Sequence, residues 1–246
     1  MSIVGVVDSL WRYPVKSMRG EQLREVFVGF GGLRGDRRFA FRSSANPDEF
    51  PYFTGRDERQ MLRYRPQFRD QSDDRAGEAL LDVETPEGER FAIDDPKLIE
   101  RLRASVSDKH QVTLMRSDRA LADAFPVSII SLQTARTLGD ETGVECDARR
   151  FRANIYVDLT AQSGGFAEDR LVGQSVRIGA DVVIRIIKRD TRCMMITIDP
   201  DTAARTPAIL KTVAQAHSGM AGVYGDVIRE GIVRAGDTVQ LVPPGE

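Results

Sequence analysis

The residues best equipped for chemistry lie in the run Arg189-Asp190-Thr191-Arg192-Cys193-Met194-Met195-Ile196-Thr197-Ile198-Asp199-Pro200. Its first half is polar and basic. Its second half is apolar and β-branched and closes on Asp-Pro, which predicts a short strand leaving a charged loop at Cys193. A thiol at that junction is open to water, and the guanidinium groups of Arg189 and Arg192 favour its thiolate, the form that attacks electrophiles and binds metals. The same cysteine also fits a small apolar residue buried at a strand start, as free cysteines commonly are.

Other reactive side chains are few. Cys146, in the loop Gly143-Val144-Glu145-Cys146-Asp147 after a helix, is not expected to do chemistry, and it forms no CxxC with Cys193. Two cysteines and two histidines cannot assemble an ordinary structural zinc site or an iron–sulfur cluster. His110 and His217 read as surface or packing residues. Glu168 and Asp169 could act as a proton-handling carboxylate pair, but a loop salt bridge with Arg170 is the simpler expectation. Trp11 is expected to pack the N-terminal part of the core.

With 246 residues the chain can form one large or two ordinary domains, and its 41% hydrophobic content can fill their cores. Its 35 basic and 37 acidic residues nearly cancel. No global field therefore draws in nucleic acid or an acidic membrane, and any anion site must be local. Met1 to Asp8 lacks the basic start and apolar core of a signal peptide, and no apolar run approaches the roughly 20 residues of a membrane helix. Together with the scarcity of cysteine, this predicts a cytoplasmic protein that neither enters a membrane nor binds nucleic acid.

The elements that must position Cys193 are mostly strands. They are expected at 3–7, 22–28, 37–41, 112–115, 127–130, 152–157, 176–178, 182–187, 223–227 and 238–242, where apolar and β-branched residues run or alternate. Residues 80–83 and 90–93 flank Pro86-Glu87-Gly88 as a hairpin. A helix starts at Asp95-Pro96, a second is capped by Ser131 and stops near Gly143, and a third covers 207–217. Residues 43–77 and 160–170 read as polar loops. The glycines Gly29, Gly31 and Gly32 do not make a nucleotide loop, because that motif opens a helix and here Arg37 onward reads as strand. The fold class is α+β, mostly β. A domain boundary is expected between Ser117 and Ala124, dividing the chain into 1–118 and 119–246.

Five separated motifs, Tyr13-Pro14-Val15-Lys16-Ser17, Gly35-Asp36-Arg37-Arg38-Phe39, Phe151-Arg152-Ala153-Asn154-Ile155, Thr191-Arg192-Cys193 with Asp199-Pro200-Asp201-Thr202, and Gly222-Val223-Tyr224, occur in the order found in the MOSC family. The chain resembles that family over nearly its whole length. The resemblance implies an N-terminal MOSC-associated β-barrel domain, a C-terminal MOSC barrel with a few helices, and a molybdenum cofactor whose metal takes Cys193 as a protein ligand. A soft thiolate suits a metal already bound by dithiolene sulfur. The resemblance also implies that Lys16, Ser17, Arg37, Arg152, Asn154, Thr191, Arg192 and Tyr224 contact the cofactor, its phosphate and pterin asking for cations and amides. For Arg37 and Arg152 the simpler alternative is a salt bridge to Asp36 or Asp158. The implied activity is reduction of small N-hydroxylated compounds. The given chain carries no C-terminal ferredoxin-like domain, so a separate electron-donor protein is expected. A module that passes sulfur from a persulfide on Cys193, or carries the cofactor, is the alternative. Two positions depart from the family pattern, Ala153 where proline is frequent and Leu171 where an aromatic is frequent.

Overall fold

The β-branched runs become strands because each gives one face to an apolar interior, and the longest pair with neighbours distant in sequence. The computed structural model describes residues 2–69, 81–104, 106, 111–160 and 164–243. In chain order the strands of the first half are β1 (Ile3–Arg12), β2 (Glu21–Leu23), β3 (Glu25–Gly29), β4 (Gly32–Leu33), β5 (Phe39–Ser43), β6 (Tyr52–Phe53), β7 (Arg65–Phe68), β8 (Leu81–Glu84), β9 (Arg90–Ala92) and β10 (Val112–Arg116). The second half adds β11 (Val127–Ser131), β12 (Ile155–Leu159), β13 (Ser175–Ile178), β14 (Val182–Thr191), β15 (Met220–Arg229), β16 (Gly231–Arg234) and β17 (Thr238–Val242). The helices are α1 (Pro96–Ala104), α2 (Leu132–Thr142) and α3 (Pro207–Ala216). None is long and apolar enough to cross a membrane.

Seven strands close a barrel in the order β12-β11-β15-β14-β13-β17-β1, with β1 returning to β12. The N-terminal strand thus completes a barrel built otherwise from residues beyond 126. β16 in turn pairs with β3, Gly231 opposite Val28, so the two halves of the chain exchange strands. β11 and β12 run parallel, and a parallel pair needs a crossover, which α2 supplies. Ser131 accepts from Thr134 N to cap its start, and Gly143 in the left-handed conformation ends it.

Leu10, Val28, Val157, Ile184 and Val223 fill the barrel with other branched side chains. A second cluster with Phe41, Phe53, Met61, Leu81 and Leu98 sits among β5, β6, β8 and α1. A third lies between α2, α3 and the barrel wall, with Leu138, Phe151, Tyr156 and Val213. Leu138 is fully buried there, which favours folding by about 1.5–3 kcal/mol. Trp11 packs this third cluster, edge-on to Tyr156 with ring centroids 6.4 Å apart, and not the N-terminal one. Its position on a shared barrel strand explains the correction.

Other boundaries moved for local reasons. Residues 194–197 form a 3-10 turn where a strand was expected. Pairing with β15 ends at Thr191 opposite Met220, so no neighbour remains to extend the sheet. Thr197 Oγ1 donates to Met194 O at 2.7 Å, and the turn sends Ile196 into the third cluster and Ile198 to Leu62 and Ala203. β5 begins at Phe39 because Arg37 turns back with φ 46°, and β12 begins at Ile155 because Arg152, φ 53°, ends a 3-10 turn over Ala148–Phe151. Residues 167–171 form another 3-10 turn inside the expected polar loop, and β16 was not anticipated. The acidic run Asp70 to Asp74 and His110 lie outside the described residues.

Candidate functional site

At one end of the barrel, a cavity of about 340 Å³ opens between the first connection of the chain, the loop after β5 and the segment after β14. Eight of the nine sequence-predicted residues line it: Lys16, Ser17, Arg37, Arg152, Thr191, Arg192, Cys193 and Tyr224. Asn154 does not. Its side chain is buried in the wall, where Oδ1 accepts from Ser128 N at 3.2 Å and Ser128 Oγ at 3.1 Å while Nδ2 donates to Trp11 O at 3.3 Å. It fastens β11 to the chain leading into Ile155 and to β1.

Backbone turns aim the polar groups. Ser17, Arg37 and Arg152 all have positive φ, at 66°, 46° and 53°. Three left-handed residues without glycine hold a strained backbone where a site needs a set direction. Opposite them, β14 shifts register against β15 between Ile186 and Lys188 and again between Arg189 and Thr191. Such irregularities re-aim side chains, and here Lys188, Asp190, Thr191 and Arg192 all reach the same cavity. Cys193 follows at the start of the 3-10 turn with its residue surface exposed. Gly55 lets the loop after β6 pass close by, since a Cβ there would lie 2.9 Å from Met195 Cε and 2.6 Å from Leu62 Cδ1.

The cations differ sharply in their pairing. Arg37 donates to Asp36 Oδ2 at 2.5 Å and to Arg152 O at 2.9 Å, so the salt-bridge alternative holds for it. Burial opposes its charge, but Asp36 more than compensates and holds its pKa above the ordinary value. Lys16 donates to Leu121 O at 2.8 Å and Asp123 Oδ1 at 2.5 Å. Its burial pushes the ammonium pKa down, with Asp123 opposing. Arg192 is turned into the protein, donating to Ala221 O and Phe151 O, with Asp190 Oδ2 at 2.8 Å. Burial raises the Asp190 carboxyl, and Arg192 and the Tyr224 hydroxyl work against that rise.

Arg152 has no such partner among the described residues. Asp158, one of the two carboxylates that the salt-bridge alternative offered, accepts instead from Gln133 Nε2 at 2.6 Å. The Arg152 guanidinium sits over the Tyr13 ring at 4.3 Å, beside that of Arg37 at 4.9 Å from the same ring. Its Nη2 is covered and makes no hydrogen bond among the described residues. Burial and the like charge of Arg37 push its pKa down to about 10, with Tyr13 opposing, which leaves it charged at neutral pH. Arg152 is thus a cavity-lining cation with one covered donor left unsatisfied, and a charged donor in that state is one that an anion would stabilise.

Several expectations outside the cavity are corrected. Arg189 turns away from Cys193 to Asp169 Oδ2 at 2.8 Å and to His217 O at 3.2 Å. Asp169 therefore pairs with Arg189 and not with Arg170. Glu168 is buried and accepts from Ser131 Oγ at 2.6 Å and Thr134 Oγ1 at 2.8 Å, so the two carboxylates serve separate structural contacts. His217 stacks on Phe166 at 3.8 Å and meets Glu141 at 2.7 Å, a packing role as expected. Cys146 is buried, and desolvation pushes its thiol up to about 11.

Sequence reasoning missed Phe50, Thr54, Arg56, Asp123, Lys188 and Asp190 at this cavity. Phe50 to Arg56 lie in a segment without periodicity, and its one signal was the aromatic pair Tyr52-Phe53 followed by Thr54-Gly55-Arg56. Among the described residues no three His, Cys, Asp or Glu side chains cluster so as to hold a metal ion.

With this geometry in place, the sequence matches the MOSC domain over residues 116–240 and the MOSC N-terminal beta barrel domain over residues 4–128. The chain belongs to the MOSC family. A molybdenum cofactor sulfurase from Drosophila grimshawi is 29% identical over 124 residues, 50% of this MOSC chain and 14% of that protein. The mitochondrial amidoxime-reducing component 1 of Mus musculus is 27% identical over 160 residues, 60% of the chain and 43% of that protein. The chain thus spans less than half the length of either curated relative. Among solved structures, the YUAD protein from Bacillus subtilis is similar with a TM-score of 0.49 and 14% identity, covering 96% of this chain and 94% of that one.

Proposed function

We propose that this MOSC protein binds a molybdenum cofactor in the cavity and reduces N-hydroxylated small molecules with electrons from a separate donor protein. The observation that carries the proposal is the convergence of an exposed thiol, Cys193, and an unpartnered covered guanidinium, Arg152, on one cavity. These are the two donors a sulfur-ligated metal on a phosphorylated pterin would need, and the rest of the lining fits. Arg152 would hold the phosphate through charge-assisted hydrogen bonds. Lys16, Ser17, Arg37 and Thr191 would support the phosphate and pterin from the same wall, and Cys193 would present sulfur to the metal. When bound, the cofactor would supply a redox-active centre able to pass electron pairs to a nitrogen–oxygen bond. Reduction of an N-hydroxy group consumes two electrons and two protons and yields the N–H compound and water. The exposed mouth at Cys193 admits both substrate and solvent protons.

The exposure of Cys193 also favours a second reading, a sulfur-transfer or cofactor-carrier module working through a persulfide on that thiol. Turnover decides between them. With an artificial donor such as reduced methyl viologen, the holoprotein should convert benzamidoxime to benzamidine, and Cys193→Ser should not. Absence of turnover in a protein that carries full molybdenum, together with persulfide sulfur on Cys193, would favour the sulfur-transfer reading.

A further inference from the structure

We infer that the mouth of the cavity selects anionic substrates through Arg56 and Lys188; this inference rests on the reductase reading above. The cations around the cavity fall into two layers. Lys16 and Arg150 are buried, Arg152 Nη2 is covered, and Arg37 and Arg192 are tied to Asp36 and Asp190. Arg56 and Lys188 are instead exposed, as Cys193 is, so they share the layer through which a substrate must approach the thiol. They come from separate parts of the chain, Arg56 from the loop after β6 and Lys188 from β14 at its register shift.

Neither is ion-paired among the described residues. The two carboxylates lining the cavity are already engaged, Asp123 with Lys16 at 2.5 Å and Asp190 with Arg192 at 2.8 Å. Arg56 also acts on Asp123 through space, but makes no direct contact with it. Each rim cation rests on an aromatic face, Arg56 4.1 Å from the centre of the Phe50 ring and Lys188 5.6 Å from that of Phe125. Phe125 in turn lies against Tyr224, with centroids 6.3 Å apart. The mouth therefore carries two unpaired positive groups, each steadied against a ring. That arrangement matches a molecule carrying a carboxylate or similar anion, held by charge.

The test compares benzamidoxime with 4-carboxybenzamidoxime on the holoprotein, wild type beside Arg56→Ala/Lys188→Ala, with reduced methyl viologen as donor. Wild type should show a KM about tenfold lower for the carboxylated compound, the scale of two exposed ion pairs. The double variant should lose that ratio while keeping kcat and its molybdenum and pterin content. Raising salt should erode the wild-type ratio, because exposed charges are screened. Equilibrium binding of 4-carboxybenzamide and benzamide, neither of them reducible at an N–O bond, is measured in parallel. A wild-type preference for the carboxylate that vanishes in the variant supports the rim even if neither amidoxime turns over, an outcome that would refute only the reductase reading. Equal binding of the two amides by wild type would overturn the inference. So would reduced pterin content in the variant, which would make the rim part of the cofactor site. A defect seen only when electrons come from a protein donor would also overturn it, in favour of an acidic docking partner.

Discussion

Replacing Arg152 by methionine should stabilise the cofactor-free protein and weaken its hold on the cofactor. Arg152 Nη2 is covered and unbonded, and the nearest other cation, Arg37, stacks on the same Tyr13 ring. An unsatisfied covered charged donor costs about 1–3 kcal/mol. The Tyr13 contact returns about 0.5–1 kcal/mol at a partly open site. Methionine keeps much of the volume, and the Arg152 carbonyl that accepts from Arg37 Nη2 belongs to the backbone and stays. The balance, a gain of up to about 2.5 kcal/mol, should raise Tm by up to roughly 10 °C in a chain of this size. Against that, losing a charge-assisted contact to phosphate worth about 1.5–3 kcal/mol should loosen the pterin roughly 10- to 150-fold. The assay is thermal unfolding of protein from a host unable to make the pterin, and pterin retention on dialysis of protein from a competent host. A lower Tm in the cofactor-free variant combined with full retention would refute the idea that Arg152 is held unpaired for an anion.

Asp36→Ala should act in the opposite direction. Asp36 is fully buried, accepts from Tyr13 N at 2.8 Å and pairs with Arg37 at 2.5 Å, so its removal orphans both. Breaking one side of a buried pair costs about 3–5 kcal/mol, and cofactor-free Tm should fall by roughly 6–20 °C; a fall under about 2 °C would contradict the assignment. Native cofactor-free protein should present one rapidly alkylated thiol near neutral pH, Cys193, while buried Cys146, with its pKa pushed up to about 11, should react only on unfolding. Two fast thiols would be evidence against the buried position of Cys146. Glu168 is buried among hydroxyls with no cation beside it among the described residues, and desolvation raises its pKa above 4.5. A raised carboxyl favours the folded state at low pH and loses that contribution as pH climbs from below 4.5 through the folded value. Unfolding free energy of wild type relative to Glu168→Gln should therefore decline as pH rises through that window; a difference independent of pH would show that burial does not shift this group.

What was legible in the sequence follows from local physics. The hairpin around Pro86-Glu87-Gly88 and the helix ends at Ser131, Gly143 and Pro207 appeared where capping and turn chemistry require them. The 3-10 turn after Cys193 was read as a strand because Ile196 and Ile198 carry β propensity, and only the loss of a pairing partner beyond Thr191 decides against it. The exchange of β1 and β16 between the halves of the chain depends on pairing across the whole sequence, which no local pattern encodes. At the site, the motif residues Lys16, Ser17, Arg37, Arg152 and Cys193 did converge on one cavity. Their partners were hidden, since nothing in the sequence tells that Arg189 turns to Asp169 while Arg152 stays unpaired. Asn154 illustrates the same limit, because its amide is consumed by Ser128 and Trp11.

The most direct test is molybdenum and pterin content, measured on protein from a host able to make the cofactor, wild type beside Cys193→Ser and Arg152→Met. Wild type should carry roughly one molybdenum and one pterin per chain, Cys193→Ser should keep most of its pterin, and Arg152→Met should be depleted of it. A folded wild-type protein that carries neither metal nor pterin would contradict the proposed function.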